Sequence, residues 1–380
     1  MQKGCYFIGA PGGTGAVANH FTALGVELAR RGHRVKLISS RSEGEDGGNG
    51  CNPALLAWPS ARPTRLADAF FLARLIRRYR PDCLVANFAA VNWMCLVGRL
   101  FGVKDRIAFY HTLRGQIDAD YHAGPGLSQR IRSFRKKFVY QTATAIVGIS
   151  NAALEDAQTG YGVPAEKCTL WRYSMPDPEP RLHPPPTRDR ENVVVCAGRL
   201  YPSKGQDVLI AALGLGRDSL ASTRVEFFGS GPMLNRFQKM AHDNGIANRC
   251  SFVGEVPNDE VLRRMSRARI TIVPSRKEAF GLVNIESMSV GTPVIASRVD
   301  GIPEIVRDGV DGYLVPPDNP AALAEKLALV IRDADLRERL GRSARQRFME
   351  EYENSTVVGK QADWLDKLVG RRNGTSNGDV

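Results

Sequence analysis

Residues 277–306, KEAFGLVNIESMSVGTPVIASRVDGIPEIV, constrain the fold more than any other stretch of the chain. The apolar run Ile270 to Val273 reads as a buried strand that ends at Pro274-Ser275. Glu278 lies in the turn that follows, and Phe280-Gly281 opens a helix over LVNIESMSV with Glu286 in its second turn. Gly291-Thr292-Pro293 stops that helix, and Val294-Ile295-Ala296 begins the next strand. A strand–loop–helix joint with glycine at the helix start lets a ligand approach the first-turn N–H groups and the positive end of the helix dipole. Glu286 sits about 8 Å beyond Glu278 along the helix axis at roughly 1.5 Å per residue. Either glutamate alone reads as a solvated helix residue or as a charge favoured by the dipole. Together they flank an anion site, which suits a ligand with hydroxyls on both sides of a phosphate: sugar, diphosphate, ribose.

Glu278, seven intervening residues and Glu286, followed by GTPVIAS and GIPEIV, resemble the signature of the family-4 retaining glycosyltransferases of the GT-B fold. The resemblance extends over most of the chain. It implies an α/β protein of two doubly wound, Rossmann-like domains facing across a cleft. It also implies that Glu278 grips sugar hydroxyls and Glu286 ribose hydroxyls, while Phe280, Gly281, Leu282 and Val283 line the donor site.

At 380 residues the chain can bury two cores, and 43% hydrophobic with 24% charged residues describes a soluble globular protein. No apolar run reaches the length of a spanning helix, and the N-terminus lacks a signal-peptide pattern. Seven scattered cysteines without a C-x-x-C read as thiols of a cytoplasmic protein. The net charge of +12 is uneven: residues 1–190 hold 26 basic against 15 acidic residues, and residues 191–380 hold 26 against 25. That excess suits an anionic partner such as the cytoplasmic face of a membrane, or simple solubility. No aromatic-rich motif accompanies it, which disfavours nucleic acid.

The first half begins as strand, glycine loop (APGGTG, 10–15), helix and strand, the unit of a parallel sheet. The loop lacks the spaced G-x-G-x-x-G of dinucleotide binders and can merely tighten the turn. By the resemblance, Gly12 and Gly13 let backbone approach the donor phosphates. Residues 41–53 read as a polar loop. A basic helix (65–80), the strand DCLVANF, a further helix and the strand RIAFYHT follow, with His111 at the strand's C-terminal end. A lone histidine is more often structural. The resemblance gives His111 a hydrogen-bonding and electrostatic role near the transferred sugar. Asp118-Ala-Asp120 reads as chance spacing in a loop, so no metal is expected there. Residues 127–141 form a helix whose Ile131, Phe134 and Phe138 share one face, expected to pack on the domain, beside Arg130, Arg132, Arg135, Lys136 and Lys137.

The expected domains are 1–175, a proline-rich linker at 176–190, and 191–354. A helix at about 355–370 would pack back on the first domain, with a disordered tail at 371–380. Family members commonly carry Asn-Gly before the linker, where this chain has Tyr173-Ser174. GRLYPSKG at 198–205 matches the family motif in which Arg199 and Lys204 bind the leaving phosphate. Gly229, in a second glycine turn, and the backbone near Glu255 and Val256 complete the donor site by the same resemblance. The implied activity is retaining transfer of a hexose or N-acetylhexosamine from a nucleotide-sugar, UDP-linked first and GDP-mannose next, without a metal or other cofactor. The acceptor would be a glycan, a glycolipid such as lipopolysaccharide core, or a small natural product. A GT-B-fold epimerase or phosphorylase is the alternative, and a dehydrogenase is disfavoured by the missing fingerprint.

Overall fold

The computed structural model describes residues 3–12, 15–40, 53–121, 127–216 and 219–374. Thirteen strands among them form two wholly parallel sheets. The first holds β1 (Cys5–Gly9), β2 (Arg34–Ser39), β3 (Ala54–Ala57), β4 (Cys83–Ala86), β5 (Asp105–Tyr110), β6 (Ala145–Gly148) and β7 (Cys168–Leu170), in the order 3-2-1-4-5-6-7. The second holds β8 (Glu191–Ala197), β9 (Arg224–Phe228), β10 (Cys250–Gly254), β11 (Ala268–Val273), β12 (Val294–Ser297) and β13 (Gly312–Val315), in the order 10-9-8-11-12-13. Each order reverses once, between β1 and β4 and between β8 and β11. Open parallel sheets bind ligands at that reversal, outside the carboxyl ends of the strands.

The chain divides into two compact units. One comprises 1–111, 124–175 and 354–380; the other comprises 112–123 and 176–353. This differs from a first domain of 1–175, because Thr112–Ala123 belongs to the second unit. Central strands such as β1 and β4 are buried at every residue, since helices cover both faces of a parallel sheet. In the second unit Val194, Ile210, Leu213, Phe227, Ile270 and Leu327 are among the core.

The helix Asn354–Gly374 belongs to the first unit and packs on the helix Ala16–Arg30. Arg31 holds it, donating to Asp363 at 2.6 Å, to Asp366 at 3.0 Å and to the Gly359 carbonyl. The helix runs through Gly374, so the first four residues of the expected tail are helical, and the rest of that tail lies outside the described residues. The loop expected at 41–53 also lies outside them up to residue 52.

Two further readings need correction, and three strands went unread. Asp118 and Asp120 sit in the helix Arg114–Tyr121, where a loop was expected. Ile131, Phe134 and Phe138 do share a face of the helix Leu127–Thr142, but that face is open, at 59%, 75% and 54% exposure. The opposite side of the helix supplies the packing, through Val139 and Tyr140. The segments ALLA, CTL and GYLV form the edge strands β3, β7 and β13, which no sequence pattern announced.

Leu365 is fully buried on the C-terminal helix. Leu365→Ala is expected to destabilise the first unit by about 3 kcal/mol. Urea denaturation followed by circular dichroism would show it as a transition moved to lower denaturant.

Candidate active site

In the second unit, β8 and β11 are hydrogen-bonded neighbours, so the loops leaving their C-terminal ends meet. The first loop carries Arg199 and a single turn, Pro202–Lys204. The second carries Pro274 to Gly281. Lys204 Nζ lies 2.6 Å from Glu278 Oε2, and both side chains are largely buried. Ser275 Oγ donates to the same Glu278 oxygen at 3.1 Å. Asp300 accepts the Glu278 backbone N–H at 3.0 Å, from a residue held at a φ of 43°. The sequence reading assigned Lys204 to the diphosphate and Glu278 to the sugar; the structure joins them as one ion pair.

Gly281 caps the helix Leu282–Ser289 with a φ of 94°. A Cβ there would lie 2.4 Å from Asn284 Nδ2, so both conformation and space require glycine. The first-turn N–H groups of Leu282 and Val283 open this helix without intrahelical partners, as at any helix start. Phe280 is buried and meets Tyr352 edge-on at 6.3 Å, so its side chain belongs to the core and its backbone alone can line a ligand site. Glu286 is 7% exposed, and burial raises its pKa to about 7 against a hydrogen bond from Asn258 that lowers it. Near neutrality it can therefore donate to one hydroxyl and accept from another.

The turns after β8, β9 and β10 stack backbone on backbone. Gly229, at a φ of 122°, would place a Cβ only 2.2 Å from the Gly198 carbonyl. Glu255 is exposed at the end of β10, where its carboxylate accepts from Ser230 Oγ, and Val256 is half-buried beside it.

In the first unit, His111 follows β5 directly, as expected. Its Nε2 lies 2.8 Å from Asn87 Oδ1, and its Nδ1 bonds the Tyr173 hydroxyl. Asn87 Nδ2 donates to the Gly9 carbonyl at 2.7 Å, which turns Oδ1 toward the histidine. The imidazole is then the neutral tautomer with its proton on Nε2, accepting from tyrosine at Nδ1. Phe88 stacks on the ring at 4.2 Å, from a left-handed φ of 47° rare for an aromatic residue. Burial pushes the His111 pKa down to about 3, and the nearby His20 pushes in the same direction. At neutral pH this histidine can polarise a neighbour but holds no exchangeable positive charge.

Beside His111, at the β1–β4 reversal, lies a cavity of about 330 Å³. Its walls include Gly9, Pro11, Trp58, Arg62, Asn87 and Phe88. Gly12 is exposed just beyond the rim; Gly13 lies outside the described residues.

Two family models match the chain. The model described as Glycosyltransferase Family 4 covers residues 15–172, and the model described as Glycosyl transferases group 1 covers residues 181–347. The chain belongs to the family-4 glycosyltransferases. Its relatives include the GDP-mannose-dependent alpha-(1-6)-phosphatidylinositol monomannoside mannosyltransferase of Mycobacterium tuberculosis (strain CDC 1551 / Oshkosh), 32% identical over 179 residues, or 45% of this chain and 46% of that one. The match thus spans about half the length of that relative. N-acetyl-alpha-D-glucosaminyl L-malate synthase of Bacillus anthracis is 24% identical over 96% of both chains. Among solved structures, Anabaena Alr3699/HepE in complex with UDP-glucose superposes with a TM-score of 0.72 at 16% identity, covering 96% of this chain and 100% of that one. These likenesses establish the GT-B fold.

Asn87 and Asp300 of this family-4 chain escaped the sequence reading, and Tyr173 and Asp120 were named there without their roles. Tyr173 carried a signal, since it stands where family members commonly have asparagine. It holds His111, while the adjoining Ser174 N–H donates to the buried His20. The others are fixed by contacts distant in sequence.

Glu286 has a raised folded pKa, so its contribution to stability is fully present below about pH 4.5 and is lost as pH rises through about 7. Glu286→Gln should match the wild type near pH 4.5 and exceed it at pH 8, by on the order of 3 kcal/mol. Thermal unfolding of both proteins across pH 4.5–8 checks this.

Proposed function

We propose that the chain is a retaining glycosyltransferase that moves a hexose or N-acetylhexosamine from a UDP-sugar to an acceptor hydroxyl, in the synthesis of a cell-surface glycan or glycolipid. The observation that carries the reading is the junction of Arg199, Lys204, Glu278 and the Gly281 helix start at the β8–β11 reversal. Arg199, Lys204 and the first-turn N–H groups would neutralise charge gathering on the departing nucleoside diphosphate. Two cations and a helix start can do this without a divalent ion, so neither metal nor cofactor is part of the proposal. Glu278 would hold the sugar hydroxyls and Glu286 the ribose hydroxyls. UDP is favoured by the UDP-glucose complex of the similar structure, and an N-acetylhexosamine by the N-acetylglucosaminyl group in the name of the relative matched over 96% of both chains. The mannosyltransferase relative makes GDP-mannose the second donor to test.

The acceptor side of the proposal is the cavity beside His111. It has room for one sugar-sized ring, aromatic walls in Trp58 and Phe88 for the ring's apolar face, and Arg62 for an anionic group. His111, neutral and with both ring nitrogens engaged, would act there through Asn87, which it holds in the cavity wall.

The partner that would present a lipid acceptor is an anionic membrane surface. No helix among the described residues is long and apolar enough to cross a membrane. Two helices of the first unit nevertheless expose apolar and basic groups together. Leu66 and Phe70 are exposed on the helix Leu66–Tyr79 with Arg74, Arg77 and Arg78, and Ile131, Phe134 and Phe138 are exposed with Arg135 and Lys137. Both helices pack against the helix Val91–Leu100. Apolar side chains inserted among lipid headgroups with basic neighbours on phosphates are the mark of an interfacial helix.

A panel of UDP-, GDP- and ADP-sugars by thermal shift, followed by mass spectrometry of products with candidate acceptors, tests the donor. Release of nucleoside diphosphate is expected only when acceptor is present. Glu278→Gln should lower transfer by about 100-fold with the fold retained, and wild-type-like turnover would remove Glu278 from the site. Cosedimentation with vesicles of anionic lipid should fall when Phe70 and Phe134 are both changed to Ser. Equal binding to neutral vesicles, or no loss in the variant, would refute the membrane contact.

A further inference from the structure

The helix Arg114–Tyr121 places a buried carboxylate against the cation pair. The Asp120 side chain is 1% exposed, and its Oδ2 accepts from Arg199 Nη2 at 3.1 Å. Its Oδ1 accepts from the Ser203 backbone N–H at 3.2 Å. Ser203 is the middle residue of the turn that ends in Lys204. The Ser203 carbonyl in turn accepts the N–H groups of Arg276 at 2.7 Å and Lys277 at 3.2 Å, in the loop that carries Glu278. The Arg199 guanidinium lies 4.6 Å above the Tyr201 ring, which Tyr121 meets edge-on at 6.1 Å. One carboxylate thus bonds the first cation and the peptide that leads to the second.

We propose that Asp120 is a positioning residue for the donor's diphosphate, fixing Arg199 and the Ser203–Lys204 turn in their binding arrangement. The proposal rests on the reading of Arg199 and Lys204 as the phosphate-binding cations. Burial decides between a support and a competitor for the phosphate. Asp120 is closed to solvent while the Arg199 side chain is 48% exposed. A guanidinium carries five N–H donors, so a phosphate can approach from the open side with the Asp120 bond intact. Held by a charge-assisted bond on one side and an aromatic ring on another, Arg199 loses less side-chain freedom when a ligand binds. The bond to Ser203 fixes the turn's backbone, and with it the point from which Lys204 reaches Glu278. Asp120 does not touch substrate in this scheme; it acts through Arg199 and Lys204.

The test uses the whole chain and isothermal titration with UDP, GDP and ADP, each beside its parent nucleoside. The measured quantity is the ratio of diphosphate to nucleoside affinity, because a general loss of packing weakens both and leaves the ratio unchanged. Asp120→Asn is expected to lower that ratio about tenfold, and Asp120→Glu, which keeps the charge on a longer stem, to give an intermediate value. In an Arg199→Ala background the Asp120→Asn effect should shrink to the part carried by the Ser203–Lys204 turn, since the two residues are coupled. Where Asp120→Asn does not fold, Asp120→Glu carries the test. A wild type that prefers the diphosphate, with an unchanged or raised ratio in the folded variant, overturns the positioning role and leaves the two cations as the phosphate site. A wild type with no preference for the diphosphate overturns both.

Discussion

The Lys204–Glu278 ion pair exists because two strands far apart in sequence are neighbours in a sheet. The order 10-9-8-11-12-13 sets the C-terminal end of β8 beside that of β11, and the loops leaving them converge on one helix start. Each partner of a largely buried pair depends on the other, since either charge alone would be left desolvated. Ser275 and Asp300 hold the glutamate's side chain and backbone, and Ser203 ties the two loops together. The result is a site whose charges are fixed before any ligand arrives. Such preorganisation is what makes electrostatic stabilisation effective in a transition state.

The first unit applies the same topological rule with different chemistry. Its reversal lies between β1 and β4, and there the chain builds a cavity with aromatic walls in place of a cation cluster. His111 stands beside it with both ring nitrogens engaged and its pKa pushed far below neutrality. A histidine held in one tautomer suits hydrogen bonding and polarisation; a shuttle that must gain and lose a proton near pH 7 would need a different environment. Phe88 serves both features, stacking on His111 and lining the cavity from a strained backbone conformation.

The sequence displayed the parts of this site that depend on local pattern. The run Ile270–Val273, the glycine at 281 and the spacing of Glu278 from Glu286 are local signals, and strand, helix start and carboxylates stand where those signals put them. Elements set by tertiary contact were silent. The edge strands β3, β7 and β13 have three or four residues each, too few for a periodicity to register. Periodicity assigned Ile131, Phe134 and Phe138 to one helix face correctly but could not say whether that face would be covered. Asp120 was read as chance spacing in a loop; its partners lie 79 and 83 residues away, and no local pattern records an ion pair across that distance.

Everything proposed for the donor depends on a nucleoside diphosphate binding at the β8–β11 reversal. A crystal structure of the chain with UDP or GDP bound would decide it. Diphosphate oxygens are expected within hydrogen-bonding distance of Lys204 Nζ and the Arg199 guanidinium, and ribose hydroxyls on Glu286. A nucleotide seated instead at the β1–β4 reversal, with Arg199 and Lys204 untouched, would contradict it.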